Sequence, residues 1–297
     1  HTRYWRDWSS DVCSSDLEVE TTANLVRPGV VGRRVRGVEV DWLRTLGGAT
    51  VEEFTRAVVG ARVARVGRRA KYVRLDLERR GRAAGALLVH LRMTGRLVVT
   101  QGREPTPEWR KVSLRLDRGT LHFLDVRKFG RFAFHADPEA ALAHLGPEPL
   151  GPDFTAEGLA SGLRSRRRAL KPLLLDQEFV AGLGNIYVDE ALHRAGLHPL
   201  RSSASVRRSS AERLHAAIQD ILARAIEREG SSFDTFYRTP EGKPGEYQHL
   251  FQVYGRDGQA CRTCGTTIRK LVVGQRGTHV CPRCQPVPRG ASRAGRS

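Results

Sequence analysis

Residues 261–284 read CRTCGTTIRKLVVGQRGTHVCPRC and contain four of the five cysteines of the chain. Two C-x-x-C pairs, Cys261/Cys264 and Cys281/Cys284, are separated by the sixteen residues 265–280. This spacing is typical of a structural zinc site, because each pair brings two thiolates to one tetrahedral ion. The pattern therefore predicts one bound Zn²⁺ with Cys261, Cys264, Cys281 and Cys284 as ligands. Two disulfides or a chance pairing are the alternatives.

The segment between the two pairs has the length and composition of one β-hairpin. Residues 267–273 and 278–281 are rich in β-branched side chains, and the GQRG sequence of residues 274–277 separates them. Glycines on both sides of this turn predict that Arg276 lies at the hairpin tip, where it can contact phosphate.

The charge of the chain indicates a polyanionic partner. Among 297 residues, 50 Lys and Arg face 32 Asp and Glu, which gives a net charge of +18 spread over the chain. Nucleic acid is the usual partner of so basic a surface, although charge alone does not separate DNA from RNA or a ribosomal partner. No apolar run reaches membrane-spanning length, and the start lacks a secretory pattern. Because only Cys13 lies outside the four-cysteine set, we expect a reducing, cytoplasmic setting.

Composition shifts divide the chain into six segments of an α+β multidomain fold. Short alternating runs, such as 35–40, 72–77 and 112–116, predict a β-sandwich or barrel in the first half, after a helix over 18–27 that ends before Pro28. The segments are a foreign or disordered start (1–17), the β-domain (18–135), a linker (136–153), a helical domain (154–245), a zinc finger (246–285) and a disordered basic tail (286–297).

The helical domain contains two recognisable local signals. Ser209 and Glu212 form an S-x-x-E capping box, which predicts a helix that starts there and ends before Gly230. Its predicted apolar stripe is Leu214, Ile218, Ile221, Leu222 and Ile226. Upstream, the AGLGN turn (181–185) predicts that Asn185 caps a second helix whose free N–H groups can bind a phosphate. An ordinary helical hairpin with a good cap is the alternative.

Two residues of the β-domain have unusual positions. Lys71 shares strand parity with the apolar Val73, Leu75 and Leu77, so we expect partial burial, which favours an amine that exchanges protons near neutrality. A lysine that extends from a strand end to solvent is the alternative. Met93, the only methionine, falls in a hairpin turn, and its phase also fits a core position.

Several motifs in this order resemble the bacterial formamidopyrimidine-DNA glycosylases. They are EVET (18–21), HLRMTGR (90–96), DVRKFG (125–130), LLLDQEFVAGLGNIYVDEALHRAG (173–196) and GTHVCPRC (277–284). The resemblance covers Glu18 to Gln285. It implies an N-terminal β-sandwich flanked by helices, a helix–two-turn–helix domain and a C-terminal zinc-finger hairpin, with damaged double-stranded DNA held between the halves. It also implies a monomeric repair enzyme of the bacterial cytoplasm and nucleoid that excises oxidised purines and nicks the abasic strand by β- and δ-elimination.

The resemblance also implies roles for individual residues. Lys71 would assist β-elimination, Arg276 would serve DNA binding and δ-elimination, and Glu18 would support the surroundings of the nucleophile. Met93, Arg127 and Phe129 would fill the gap left by a flipped nucleotide. The expected phosphate ligands are Arg167, Lys171 and Asn185, and residues 230–237 would close over the flipped base. Taken alone, each arginine can equally be a solvated surface charge.

The chain departs from the family pattern at two places. The family starts with Pro-Glu-Leu-Pro ahead of Glu-Val-Glu-Thr, and its N-terminal proline amine attacks the sugar. Here Ser14 and Ser15 stand at the Pro and Glu positions, and thirteen residues precede Ser14. We therefore expect this polypeptide to bind lesions with little or no excision. In addition, Trp109-Arg110-Lys111 replaces a DNA-contacting histidine, and Arg110 is expected to hold phosphate instead.

Three alternative functions follow. A lesion-binding protein without activity is expected if residues 1–17 are genuine, and an oxidised-pyrimidine glycosylase would keep the same fold. A zinc-ribbon transcription or ribosomal factor accounts for the cysteines but leaves Lys71, Met93 and the GLGNIY turn without explanation.

Overall fold

The computed structural model describes residues 16–102, 104–227 and 247–288. These residues form two compact units, 16–144 and 145–288. Ser14, Ser15, most of the predicted foreign start, the 230–237 loop and the end of the predicted tail lie outside the described residues.

The first unit is a β-sandwich with helices around it. Its two antiparallel four-stranded sheets have the strand orders β1-β6-β7-β5 and β2-β3-β4-β8. The elements are α1 (Asp16–Val30), β1 (Val35–Val40), α2 (Val51–Val58), β2 (Arg62–Arg69), β3 (Tyr72–Arg79), β4 (Arg82–His90), β5 (Gly95–Thr100), β6 (Arg110–Leu116), β7 (Thr120–Asp125), β8 (Arg131–His135) and α3 (Pro138–Leu142). The predicted sandwich is confirmed.

One apolar core joins the two sheets and α1. Val73, Leu75 and Leu77 alternate with polar residues on β3 and are completely or almost completely buried, as the period of a strand requires. Helix α1 contributes a stripe at helical spacing to the same core: Val19, Ala23, Val26 and Val30.

Several elements of the first unit differ from the prediction. Helix α1 continues through Pro28 to Val30 instead of ending at Arg27. Proline removes one backbone hydrogen bond, but Val30 is fully buried and Gly29 lies so close to β5 that a Cβ would be 2.9 Å from Val99 Cγ1. Packing therefore keeps this last turn helical. The arginine-rich strand β2, strand β8 and helix α2 were not predicted, and α3 lies inside the predicted linker.

The second unit combines helices with the cysteine-bearing hairpin. Its elements are α4 (Ala156–Arg164), α5 (Leu170–Leu174), α6 (Asn185–Ala195), α7 (Arg208–Glu227), β9 (Arg269–Val273) and β10 (Arg276–Val280). The predicted hairpin between the cysteine pairs is thus present. Within the described residues, no helix is both long and apolar enough to cross a membrane.

Helix α7 starts one residue before the predicted capping box. Ser209 lies inside its first turn, and the Glu212 carboxylate accepts a hydrogen bond from Arg208 Nε at 3.1 Å. The box is therefore wrong, because an arginine at the preceding position takes the glutamate. Most of the predicted stripe is buried, but Ile226, at the last turn, is 44 % exposed.

Candidate nucleic-acid interface and metal centre

The four cysteines of the second unit converge on one point. The Sγ atoms of Cys261, Cys264, Cys281 and Cys284 all lie within 4.8 Å of one another. Cys261 and Cys284 Sγ are 4.0 Å apart, and Cys264 and Cys281 Sγ are 3.4 Å apart. A tetrahedral zinc ion with Zn–S bonds of about 2.3 Å places its sulfurs about 3.8 Å apart. These separations are too long for disulfides and fit one structural Zn²⁺.

Helix α6 holds the segment that carries these cysteines. The Glu190 carboxylate accepts the backbone N–H groups of Gln252, Val253 and Tyr254, each at 2.9 Å. Burial raises the pKa of this carboxyl group, and the three N–H donors act in the opposite direction. One turn later, His193 Nε2 lies 3.6 Å from Cys261 Sγ. Contacts of this kind orient the first ligands of a metal site.

Lys171, on α5, contacts both helix α6 and the hairpin between the cysteine pairs. The residue is fully buried, and its Nζ is 2.7 Å from Asp189 Oδ1 and 2.8 Å from the carbonyl oxygen of Gly277. The other Asp189 oxygen accepts the His279 backbone N–H at 2.9 Å. The Lys171 ammonium group is thus bound inside the protein, and its predicted phosphate contact stays a prediction.

Asn185 has a similar role. Its Nδ2 donates to the Gly277 carbonyl at 3.0 Å, and the residue is 6 % exposed. The N-cap of α6 is Gly184, so the expected cap by Asn185 is wrong. Its amide group donates to the hairpin backbone, and the predicted phosphate contact stays a prediction.

The hairpin turn consists of Gly274 and Gln275, with φ of +58° and +62°. Arg276 is half-buried, is the first residue of β10 and pairs with Val273, so it lies one residue beyond the predicted tip. A Cβ at Gly274 would be 2.9 Å from Pro172 Cγ, which places the turn against α5. Helix α5 therefore fixes the backbone that presents Arg276. Arg167 is exposed in the connection between α4 and α5.

In the first unit, Lys71 lies in the turn between β2 and β3 and is only 7 % exposed, as expected. Arg68 Nη1 donates to the Ala70 carbonyl at 3.1 Å, and Arg68 Nε is 3.1 Å from Glu20 Oε2. Glu20 lies near the start of α1, so this arginine links the Lys71 turn to the N-terminal end of the helix. The side chain of Glu18, in the same turn of α1, lies outside the described part of the chain.

The loops that carry Met93, Arg127 and Phe129 meet at one end of the β1-β6-β7-β5 sheet. Asp125, which is 1 % exposed, accepts the Thr94 hydroxyl, the Arg127 backbone N–H at 3.2 Å and the Gly130 backbone N–H at 2.7 Å. The Arg127 guanidinium lies 5.3 Å from the centre of the Phe129 ring. A single buried carboxylate therefore joins the Met93 turn to the Arg127–Phe129 loop.

Comparisons with family models match three parts of the chain. The formamidopyrimidine-DNA glycosylase N-terminal domain matches residues 17–132, and the formamidopyrimidine-DNA glycosylase H2TH domain matches residues 145–237. A zinc finger found in FPG and IleRS matches residues 258–287.

Whole-chain comparisons agree. The formamidopyrimidine-DNA glycosylase of Symbiobacterium thermophilum is 44 % identical over 280 residues, covering 93 % of this chain and 90 % of the relative. The chain belongs to the formamidopyrimidine-DNA glycosylase family. The enzyme of Roseiflexus is also 44 % identical, covering 90 % of this chain and 98 % of the relative. By family, the chain is a DNA glycosylase of base-excision repair.

Solved structures of this family share the fold. A variant of the Lactococcus lactis enzyme in complex with DNA containing Fapy-dG has a TM-score of 0.84 at 33 % identity. The Lactococcus lactis enzyme in complex with DNA containing an abasic site has the same TM-score and identity. Both matches cover 92 % of this chain and 100 % of the other chain.

One buried residue beside Lys71 was missed by the sequence analysis. His90 is 7 % exposed, its Nδ1 accepts the Arg92 backbone N–H at 3.0 Å, and its ring lies edge-on to Tyr72. Burial, together with the positive charges of Arg92 and Lys71, lowers its pKa to about 3. The ring is thus neutral, and its Nε2 carries the proton as a donor. Its place in the HLRMTGR motif was the available signal.

Arg110, proposed from sequence as a phosphate ligand, is neutralised by its neighbours. Its Nη1 lies 2.6 Å from Glu39 Oε2, and its Nε lies 2.6 Å from Asp41 Oδ2. Hydrogen bonding to Asp41 raises the pKa of the guanidinium group. The two carboxylates thus bind the guanidinium group in this structure, and the predicted phosphate contact of Arg110 stays a prediction.

Proposed function

We propose that this family member, when it carries the family's free N-terminal Pro-Glu in place of Ser14 and Ser15, excises oxidised purines, including 8-oxoguanine and formamidopyrimidines, from duplex DNA and then cleaves the abasic strand by β- and δ-elimination. With Ser14 and Ser15 it binds the lesion without excision. The observation that carries the proposal is the Glu20–Arg68 link between the start of α1 and the Lys71 turn. A chain whose reactive amine precedes α1 needs a second proton-transfer group close to that end. Lys71 is that second group in the proposal, because Arg68 connects the Lys71 turn to the N-terminal end of α1.

The proposed chemistry divides into two steps. A secondary amine ahead of α1 attacks C1′ of the damaged nucleotide and loses its proton, and the base leaves with the electrons of the glycosidic bond and takes up a proton. The C1′–O4′ bond then opens, O4′ is protonated, and an iminium is formed between the amine and C1′. Removal of a C2′ proton then expels the 3′ phosphate, and Lys71 assists this transfer. His90, as a neutral donor beside Lys71, hydrogen-bonds a phosphate oxygen of the strand. Glu18 supports the surroundings of the amine.

The sheet-end loops supply the proposed contacts to the distorted duplex. A flipped nucleotide leaves a gap whose unstacking costs a few kcal/mol, and inserted side chains offset part of that cost. Met93 fills the gap, Arg127 bonds the unpaired base, and Phe129 wedges the opposite stack. The shared contacts to Asp125 support a joint role for these loops.

In the second unit, Arg167 and Arg276 are the proposed phosphate contacts, and Arg276 also assists δ-elimination. Lys171 and Asn185 act indirectly, because both bind the carbonyl of Gly277, next to Arg276. We further propose that the protein works as a monomer in the bacterial cytoplasm, at the nucleoid. The basic composition supports a DNA partner.

The decisive experiment gives the protein the free N-terminal proline of the family. In one protein, residues 1–13 are removed and Ser14→Pro and Ser15→Glu are introduced, so that proline carries the free N-terminus. The second protein is the chain as printed. Both are incubated with an 8-oxoguanine duplex and borohydride, which traps the amine–sugar adduct. We expect both to bind the duplex and only the restored protein to be trapped.

Two results would contradict the proposal. Efficient trapping of the printed chain would show that Ser14 and Ser15 do not remove activity. A restored protein that binds the duplex but is never trapped would refute the excision chemistry itself. As a control, Lys71→Ala in the restored protein should keep trapping and slow strand cleavage.

Oxidised pyrimidines are the second candidate substrate. The complex of the Lactococcus lactis enzyme with DNA containing an oxidised pyrimidine matches this chain with a TM-score of 0.82. Excision of 8-oxoguanine and thymine glycol by the restored protein, measured side by side, decides between the two. Faster removal of thymine glycol would favour the pyrimidine lesion.

A further inference from the structure

Trp109 combines exposure with a strained backbone. The residue is 56 % exposed, and its φ is +63°, in the left-handed region that large side chains rarely adopt. Its carbonyl oxygen accepts the backbone N–H of Asp125 at 2.9 Å, which holds this conformation. Persisting strain at an exposed aromatic residue is a reason to look for a function.

The position of Trp109 relates it to the sheet-end loops. Arg110, the next residue, pairs with Leu124 on β7, and Asp125 pairs with Gly95 at the start of β5. Trp109 therefore enters the sheet at the same end as the loops that carry Met93 and Phe129. The Phe129 ring is also exposed, at 54 %, so two large aromatic side chains are accessible at this sheet end.

The residues beside Trp109 do not favour an ionic contact. Glu108 precedes it, and the Arg110 guanidinium is bound by Glu39 and Asp41. Lys111 is 7 % exposed, and burial, aided by the charge of Lys128, lowers the pKa of its ammonium group. What this segment offers to a ligand is thus the indole ring.

We propose that Trp109 is a further DNA-contacting residue that stacks on a base unstacked beside the lesion. The inference rests on the proposed function, because it needs a duplex bound at the sheet end. Stacking on an aromatic ring tolerates any base. Unlike a phosphate contact, it releases no counterions, so it does not change the salt dependence of binding.

The test compares four variants on a duplex that contains a tetrahydrofuran abasic-site analogue. Trp109→Ala removes the ring, Trp109→Phe keeps an aromatic ring, and Trp109→Gly removes the ring while suiting the positive φ. Leu43→Ala is the matched control, because Leu43 is 54 % exposed in the same unit. Affinity is measured at several salt concentrations for each protein.

We expect Trp109→Ala and Trp109→Gly to bind about tenfold more weakly, about 1.4 kcal/mol, with an unchanged salt slope. Trp109→Phe should retain most of the affinity, and Leu43→Ala should bind like the unmodified chain. The fluorescence difference between the unmodified chain and Trp109→Phe reports on Trp109, and we expect DNA to quench it.

The outcomes separate the two proposals. If the unmodified chain does not bind the abasic duplex, the proposed function fails. If it binds and both ring-removing variants bind equally well, only the stacking inference fails. A salt slope that falls by about one in Trp109→Ala would also overturn stacking, because it indicates a lost phosphate contact. Loss in Trp109→Ala but not in Trp109→Gly would assign the effect to backbone strain and overturn it as well.

Discussion

The sandwich and the zinc finger are stabilised in different ways. In the sandwich, side chains from both sheets, α1 and α2 form one apolar core. Among the described residues of the finger, the buried members of its apolar cluster are Val253, Cys261, Ile268 and Cys281, and two of these are metal ligands. A segment this small cannot bury enough apolar surface alone. Its fold therefore depends on zinc and on the polar contacts with α6.

The same difference applies to the buried carboxylates. Asp125 in the sandwich connects loops of a fold whose core is already formed. Asp189 and Glu190 in the second unit connect the finger to a helix, and together they accept four backbone N–H groups of the finger segment. The buried carboxylate of the sandwich thus positions two surface loops, whereas the buried carboxylates of the second unit join the finger to helix α6.

The largest expected effect comes from removing the metal. Cys281→Ser should eliminate stoichiometric zinc, and hydrogen exchange over residues 249–288 should rise to that of an unfolded chain, because structural zinc supplies folding free energy. Exchange over residues 62–90 in the sandwich should not change. Zinc content and exchange mass spectrometry measure both.

Cys13→Ser is the matched control, because it removes the one cysteine outside the cluster, and it should keep full zinc content. If Cys281→Ser kept a protected finger, the contacts with α6 would suffice without metal.

The second-largest expected effect concerns the buried ion pair between Lys171 and Asp189 in the second unit. Lys171→Met leaves the Asp189 carboxylate buried without its cation, and loss of one member of a buried pair costs about 3–5 kcal/mol. We expect the free energy of opening of α6, measured by urea-dependent hydrogen exchange, to fall by that amount.

The control for this change is Arg194→Ala on the same helix. Arg194 pairs with Asp220 at 2.6 Å, but its side chain is 46 % exposed, so its loss should cost less than about 1 kcal/mol. Equal effects of the two substitutions would refute the proposed importance of the buried pair.

The smallest effect is a pH dependence that belongs to the sandwich. Because folding lowers the pKa of His90 to about 3, the unfolded chain binds more protons between pH 6.5 and 3. The stability that the neutral His90 ring gives to the folded state is fully present above pH 6.5 and is lost as the pH falls towards 3. The sandwich should therefore lose about 2 kcal/mol of unfolding free energy between pH 7 and pH 5 through this residue.

His90→Gln should make the pH dependence of the sandwich shallower by that amount in unfolding titrations. His144→Gln, at an exposed position of the same unit, is the matched control. An identical slope in His90→Gln and the unmodified chain would mean that His90 is protonated as easily in the folded protein as in the unfolded one.

Patterns in the sequence correctly predicted the elements whose formation depends on residues close together in the chain. The alternation on β3 and the cysteine spacing each depend on residues close in sequence, and both predictions are confirmed. Strand β2 was missed because arginines interrupt its apolar period, and it is recognisable only through pairing with β3. The extension of α1 through Pro28 likewise depends on packing against a strand that is distant in sequence.

Three residues that were predicted to contact phosphate have partners within the protein in this structure, and one cause explains why the sequence did not indicate these partners. Lys171, Asn185 and Arg110 were assigned to phosphate because a basic or amide side chain offers donors. Their actual partners, such as Gly277 for Lys171 and Asp41 for Arg110, lie 106 and 69 residues away in sequence. A sequence contains the donor but does not indicate which distant acceptor occupies it. His90 was missed for the same reason, since its burial arises only from the folded sheet.

The contacts along α6 determine how the finger can be exchanged between proteins. Asn185, Asp189, Glu190 and His193 lie on one helix, and each contacts the finger segment. A finger transplanted from another protein would arrive without matched partners on this helix. A recombinant or designed protein that keeps these contacts must therefore take helix α6 and the finger from the same parent.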